Sequence, residues 1–261
     1  MDDVGDTLRL ASPAKRVISL MPATTEALFA MGAGDRVVGR TTWCDYPAEA
    51  LAVPDLGSGI EPNVEVIVAT QPDLVVLYAS TRNAAAAERL RELGIPVIQL
   101  QPDLIEDLMR ALALLGTATG LVESAAEVSR TLQAGLDAVS RPRADGPELL
   151  VLAWDQPPMV IGRGSFLHQV VTRAGARNAF DDLGGSAVTV SLEAIAARDP
   201  DVILTTAEAP AFLQRPEWQV VRAVRQRRLI RVQGTEFARP SPRLPQAVRQ
   251  LAARLDSLPP P

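Results

Sequence analysis

His168 is the only histidine in this 261-residue chain and Cys44 the only cysteine, so the residue types that most often carry metal and nucleophile chemistry are nearly absent. A multi-histidine metal centre is impossible, and any metal site would have to be built from carboxylates around one of these two residues. A Ser-His-Asp triad would have to use His168, yet no serine sits in a Gly-x-Ser-x-Gly elbow. Enzyme chemistry in an α/β fold would instead fall to Asp45, Asp155 or His168 as acid or base. Within Ser165-Phe166-Leu167-His168-Gln169-Val170, however, His168 lies on a helix and reads first as a structural residue. Neither a metal site nor a catalytic cofactor is expected.

Other residues suit recognition better than catalysis. Gly162-Arg163-Gly164-Ser165 is glycine-rich ahead of a helix, but it lacks the third glycine of a dinucleotide fingerprint and the spacing of a P-loop. Its simpler meaning is a tight turn that presents helix N-terminal amides. In Leu20-Met21-Pro22-Ala23-Thr24-Thr25-Glu26, Pro22 bends the chain and Thr24 is a candidate cap for the helix that follows. Glu65 and Glu193 each stand two residues after a candidate N-cap, Asn63 and Ser191, where the helix macrodipole favours an anion. As a pair they offer two negative points that a partner could grip with arginines. The few aromatics cluster near strand ends: Trp43 and Tyr46 in one loop, Tyr78 at the end of an apolar run, and Trp154 with Met159 around Asp155-Gln156-Pro157-Pro158. Loops at strand C-terminal ends are where open α/β sheets bind ligands.

The elements that must carry these residues alternate as βα units, which signals mostly parallel sheets. Strands are predicted at Arg16 to Leu20, Arg36 to Gly39, Asp73 to Tyr78 and Pro96 to Leu100, with helices at Thr24 to Met31 and Ala84 to Leu93. From Asp103 to about Ser140 the apolar spacing turns helical. A helix from Leu121 to Val139 would be roughly 28 Å long, enough to bridge two lobes. Alternation resumes at the strand Leu149 to Trp154. The predicted layout is therefore 1–117 as an N-terminal α/β lobe, 118–143 as a connecting helix and 144–261 as a C-terminal α/β lobe. The segment from Glu65 through Pro72-Asp73 recurs from Glu193 through Pro200-Asp201 at a constant offset of 128, which points to two related lobes.

Composition narrows the partners. Hydrophobic residues make up 47% of the chain, enough for a substantial core, and the formal charge of −5 argues against a basic nucleic-acid-binding face. A single cysteine rules out an intrachain disulfide. The acidic start Met1-Asp2-Asp3-Val4-Gly5-Asp6 has neither the basic nor the apolar region of a signal peptide, and the most apolar stretch, Leu104 to Leu115, is broken by Glu106, Asp107 and Arg110.

One ordered set of short motifs spans nearly the whole chain, from about Arg16 to Leu255: Arg16-Val-Ile-Ser-Leu-Met-Pro22-Ala-Thr-Thr-Glu26, Val38-Gly39, Asp45-Tyr46-Pro47, Asn63-Val-Glu65, Pro72-Asp73-Leu-Val, Leu93-Gly94-Ile-Pro-Val and Ser241-Pro242-Arg243. It resembles the helical-backbone (class III) substrate-binding proteins of ABC importers, and the cobalamin-binding branch most of all. That resemblance implies two Rossmann-like α/β lobes with mostly parallel sheets joined by one long backbone helix. It also implies a ligand cleft between the lobes, a monomer that performs no chemistry, and a place in the periplasm or at the outer face of the cell membrane.

Carried over residue by residue, the resemblance makes Glu65 and Glu193 the pair that docks onto a permease dimer and puts Tyr46, Tyr78, Met159 and Arg239 along the cleft. Trp43, Trp154 and Arg163 join them as ligand-binding candidates from the residue reading. The sequence departs from the cobalamin binder's pattern at Gly59, Tyr78 and Ala187, where that protein has tryptophans, and at Thr235, where it has an aspartate. A cobalamin-like corrinoid is the expected ligand. Haem or a ferric siderophore is the alternative, and Arg82, Arg163 and Arg239 would then meet the anionic complex.

Overall fold

The computed structural model describes residues 1–206 and 210–258. The chain divides into two compact units, residues 1–102 with 106–131 and residues 103–105 with 132–258.

The first unit begins with β1 (Val17–Ser19), α1 (Pro22–Ala30), β2 (Val37–Arg40), α2 (Val64–Ala69), β3 (Leu74–Tyr78), α3 (Thr81–Glu92) and β4 (Val97–Leu100). All its strand pairings are parallel, in the order β2-β1-β3-β4. Such a sheet needs apolar cover on both faces, and Ile18, Leu20, Ile67, Val75, Leu77, Leu90 and Val97 form one buried cluster. Helix α1 starts two residues earlier than the sequence reading placed it, because Pro22 occupies its first position, where the missing N–H costs nothing. Thr24 is accordingly not the cap: Met21 takes that place, and the Thr24 hydroxyl lies inside the helix, donating back to the Met21 carbonyl.

Two helices follow, α4 (Ile105–Thr119) and α5 (Val122–Val139). Helix α5 is a continuous 18-residue helix over the predicted span, and it carries the chain from the first unit into the second.

The second unit contains β5 (Glu148–Asp155), β6 (Pro158–Ile161), α6 (Phe166–Arg173), β7 (Arg177–Asn178), β8 (Ala187–Thr189), α7 (Leu192–Arg198), β9 (Val202–Thr205), α8 (Arg222–Arg225), β10 (Leu229–Arg231) and α9 (Leu244–Asp256). Its sheet runs β10-β9-β5-β6-β8, with β7 also on β5. The β10, β9, β5 and β7 pairings are parallel, whereas β6 and β8 add antiparallel strands. The core under the sheet gathers Leu150, Leu152, Phe180, Ile203, Phe212 and Trp218, with the last two rings 4.9 Å apart.

The repeat read from the sequence has a physical counterpart. Asp73 accepts from the amides of Lys15 and Arg16 at the entry to β1, 2.8 Å each. Asp201 does the same for the amide of Glu148 at the entry to β5, at 2.9 Å. In each unit, then, the aspartate of a Pro-Asp junction latches the neighbouring central strand. Burial opposes ionisation of Asp201, but the Glu148 amide and the Arg222 guanidinium outweigh it and hold its carboxyl below the usual range.

Candidate functional site

In the first unit the strand C-terminal ends carry the aromatic candidates. Trp43 and Tyr46 lie on the loop after β2, 62% and 44% exposed, and the half-buried Tyr78 closes β3. Rings displayed in this way are unusual for a packed fold and suit contact with a flat ligand.

Their loop is pinned from below by Cys44, which is buried between them. The Thr25 hydroxyl donates to its sulfur at 3.1 Å, the Thr41 hydroxyl is also 3.1 Å away, and Thr25 and Thr24 both bond to Ser19. Cys44 therefore holds the loop through a network of buried hydroxyl contacts to its sulfur.

The strand ends of the second unit enclose space instead. A cavity of about 380 Å³ opens at the ends of β5, β9 and β10, lined by Leu152, Ala153, Thr205, Thr206, Gln233, Gly234, Thr235, Phe237 and Ala238 among others. A second hollow of about 330 Å³ shares Leu152, Ala153, Thr205 and Thr206 and continues to Trp154, Asp155 and Phe212. Apolar walls with a few neutral hydroxyl and amide groups are the composition of a small-molecule site. No lysine or arginine lines either hollow among the described residues, and Asp155 is ion-paired with Arg215 at 3.5 Å. The larger hollow on the first unit, about 710 Å³, lies at the beginnings of β1 and β2, away from the strand ends that bind ligands in α/β folds.

The remaining candidates scatter around this framework. Trp154 is 61% exposed, donates from Nε1 to the Gln156 carbonyl, and stands opposite Met159 in the β5–β6 register. Arg163 is exposed beyond β6, two residues after Ile161, which lines the larger cavity, but is not itself part of that lining. Arg239 follows the cavity rim but is only 8% exposed. The glycines around Arg163 have a packing cause: a Cβ on Gly162 or Gly164 would come within 2.4 Å of a backbone carbonyl in the Gly184-Gly185 segment. They let two backbones approach, and Ser165 caps α6 through the Leu167 amide, so no phosphate cradle is needed to explain them.

Glu65 and Glu193 each occupy the second position of a short helix. Asn63 accepts from the Glu65 and Val66 amides, and Ser191 accepts from the Ala194 amide, as their spacing predicts. Both carboxylates are exposed, and Glu193 is held below its ordinary pKa by its own amide and the Ser191 hydroxyl. His168 is half-buried beside Asn178, 3.4 Å away. Burial, helped by the charge of Arg163 and opposed by Asp181, lowers its pKa and favours neutral imidazole. Among the described residues no three His, Cys, Asp or Glu side chains are placed to hold a metal ion.

The sequence reading missed Thr205, Thr206, Gln233 and Phe212 as lining residues. The only signal it contained was their position: Thr205 ends β9, and Gln233 lies two residues past β10.

Two α/β units with parallel central strands, joined through one long helix, with exposed aromatic residues at the strand ends of one and hollows at those of the other, have the architecture of a solute-binding protein. The chain belongs to the periplasmic binding protein family, whose profile matches residues 17–234. It is 32% identical over 249 residues to the vitamin B12-binding protein of Salmonella typhimurium, covering 94% of this chain and 91% of that one. It is 29% identical to the ABC transporter substrate-binding lipoprotein YvrC of Bacillus subtilis, covering 91% of this chain and 79% of that one. Among solved structures it is similar to the periplasmic heme-binding protein BhuT in complex with two hemes, with TM-score 0.81, 27% identity, and 94% and 98% of the two chains covered. It is likewise similar to the periplasmic vitamin B12 binding protein BtuF of Vibrio cholerae, with TM-score 0.77, 25% identity, and 94% and 97% covered. These relatives are binding proteins of transport systems, and this chain is a substrate-binding protein of an ABC transporter, not an enzyme.

Proposed function

We propose that the protein captures a cobalamin-like corrinoid outside the cytoplasmic membrane, as a monomer, and hands it unchanged to an ABC permease dimer. The observation that carries the choice of ligand is the lining of the second unit's cavities: apolar walls, neutral Thr205, Thr206, Gln233 and Thr235, and no lysine or arginine among the described residues. A ligand with several negative charges would leave them desolvated without a counter-charge. A bulky ligand with amide groups at its rim finds hydrogen-bonding partners there. The aromatic residues Trp43, Tyr46, Tyr78 and Trp154 and the thioether of Met159 supply apolar contact, while Arg163 and Arg239 act at the margin.

Haem is the second reading, favoured by the likeness to a protein solved with two hemes and by Tyr78 at the end of β3 and Tyr46 on the loop after β2, since a tyrosine oxygen can hold haem iron. Mixing the protein with cyanocobalamin, hemin and ferrichrome, followed by gel filtration, separates the readings. Corrinoid absorbance should travel with the protein; retention of hemin or ferrichrome alone would reject the corrinoid.

Glu65 and Glu193 are the proposed contacts to permease arginines. Replacing both by alanine should reduce transport in reconstituted vesicles by at least about 10-fold while ligand affinity stays within about 2-fold. A large fall in affinity would remove the docking role.

A further inference from the structure

We infer that Arg243 and Glu236 are positioning residues that fix the Thr235 hydroxyl as a hydrogen-bond donor at the cavity rim, so that the ligand presents an acceptor oxygen there. This rests on the reading that the cavity at the ends of β5, β9 and β10 belongs to the ligand site.

Gln233, Gly234, Thr235, Phe237 and Ala238 all line that cavity, so the segment 233–238 forms one of its walls. Glu236 lies in the middle of this run yet is buried, and its carboxylate is folded directly beneath the wall. A Cβ on Gly234, whose φ is +141°, would come within 2.5 Å of both carboxylate oxygens. Each oxygen has a partner: Arg243 Nη1 donates to Oε2 at 3.0 Å and Gln250 Nε2 to Oε1 at 2.8 Å. The Arg243 and Glu236 side chains are only 13% and 6% exposed, so this is an enclosed ion pair whose partners depend on each other.

The other arm of the same guanidinium donates from Nη2 to Thr235 Oγ1 at 2.9 Å. A guanidinium can only donate. The threonine oxygen must therefore accept in this contact, and its single proton is left for a different acceptor. None of the described residues takes that proton, although Thr235 stands at the cavity. The group that completes it is an amide carbonyl or carboxylate oxygen on the rim of the ligand, and a purely apolar edge is disfavoured because it would strand the hydroxyl.

The test uses the full chain and titrates whichever of cyanocobalamin, hemin or ferrichrome it retains. T235V should bind about 10-fold more weakly, and T235S should recover affinity to within about 2-fold. R243K keeps the charge but cannot reach Glu236 and Thr235 together, so it should cost about 5-fold, and T235V added to R243K should cost little more. R243K and E236Q serve if removal of the arginine prevents folding. Wild-type affinity in T235V, or simple additivity of T235V and R243K, overturns the inference. T206W, which fills the cavity, separates the two levels of failure. Loss of binding in T206W beside a neutral T235V discards the donor and keeps the site. Unchanged binding in T206W, or retention of none of the three probes, discards both.

Discussion

The two units differ in what they present at their strand ends. The first displays: Trp43 and Tyr46 stand out from a loop anchored by the buried Cys44, held by the hydroxyls of Thr25 and Thr41. The second encloses: apolar side chains with a few threonines and a glutamine line a cavity whose wall is braced by the Glu236–Arg243 pair, and Phe212, packed on Trp218, lines the adjoining hollow. The difference follows from additions to the shared βα plan. Only the second unit carries an antiparallel extension, β6 and β8, and it has a braced segment between β10 and α9. The lesson is that display on an exposed loop and enclosure in a cavity can be built on the same central parallel strands, the difference lying in the connections added around them.

The contrast predicts where affinity and stability are coupled. Trp218→Ala should have the largest effect, destabilising the protein by about 3–5 kcal/mol and weakening ligand binding as well, because Phe212, its stacking partner, walls the smaller hollow. Thermal unfolding and titration calorimetry on the same sample check this, and intact affinity in a destabilised variant would break the link. Tyr46→Ala in the first unit should do the opposite, lowering affinity by about 1–3 kcal/mol with almost no change in Tm, since its ring is already 44% exposed. Equal losses of affinity and Tm would show that the first unit's surface is as integral to its core as the second's.

The smallest effect concerns His168 in the second unit. Its pKa is depressed in the folded protein, so below the unfolded value of about 6.5 the unfolded chain binds more protons. The stability associated with neutral His168 is complete above that pH and is lost as pH falls through the lowered folded pKa. His168→Gln should flatten this shallow acid-side decline in Tm between pH 7.5 and 5. An identical decline in the variant would assign it to carboxylates instead.

Much of the scaffold could be read in advance, because its causes are local. Alternating apolar runs placed β1, β3 and β4 within a residue or two, the helical spacing found α5, and Asn63 and Ser191 cap where their types and spacing say they should. The offset of 128 pointed to paired Pro-Asp junctions whose aspartates turn out to latch strands. Thr24 misled because proline at the first helical turn competes with a hydroxyl cap and sets the start earlier. β6 and β8 were missed because runs of four and three residues carry too little periodicity, and Pro157-Pro158 reads only as a turn. The cavity was invisible for a different reason. Its polar lining is Thr205, Thr206, Gln233 and Thr235, residue types that fit any loop, and its brace joins Glu236 to Arg243 and Gln250, seven and fourteen residues further on, a pairing that residue types alone do not announce.

The latches at Asp73 and Asp201 have a consequence for how such a molecule can change over time. Each holds its strand through main-chain amides, which every residue type except proline supplies. Substitution at the far ends of those strands leaves the alignment of the sheet untouched. The scaffold is thus free to accumulate new chemistry on its recognition faces, and descendants of one ancestor can diverge toward different cargo without first relearning how to fold.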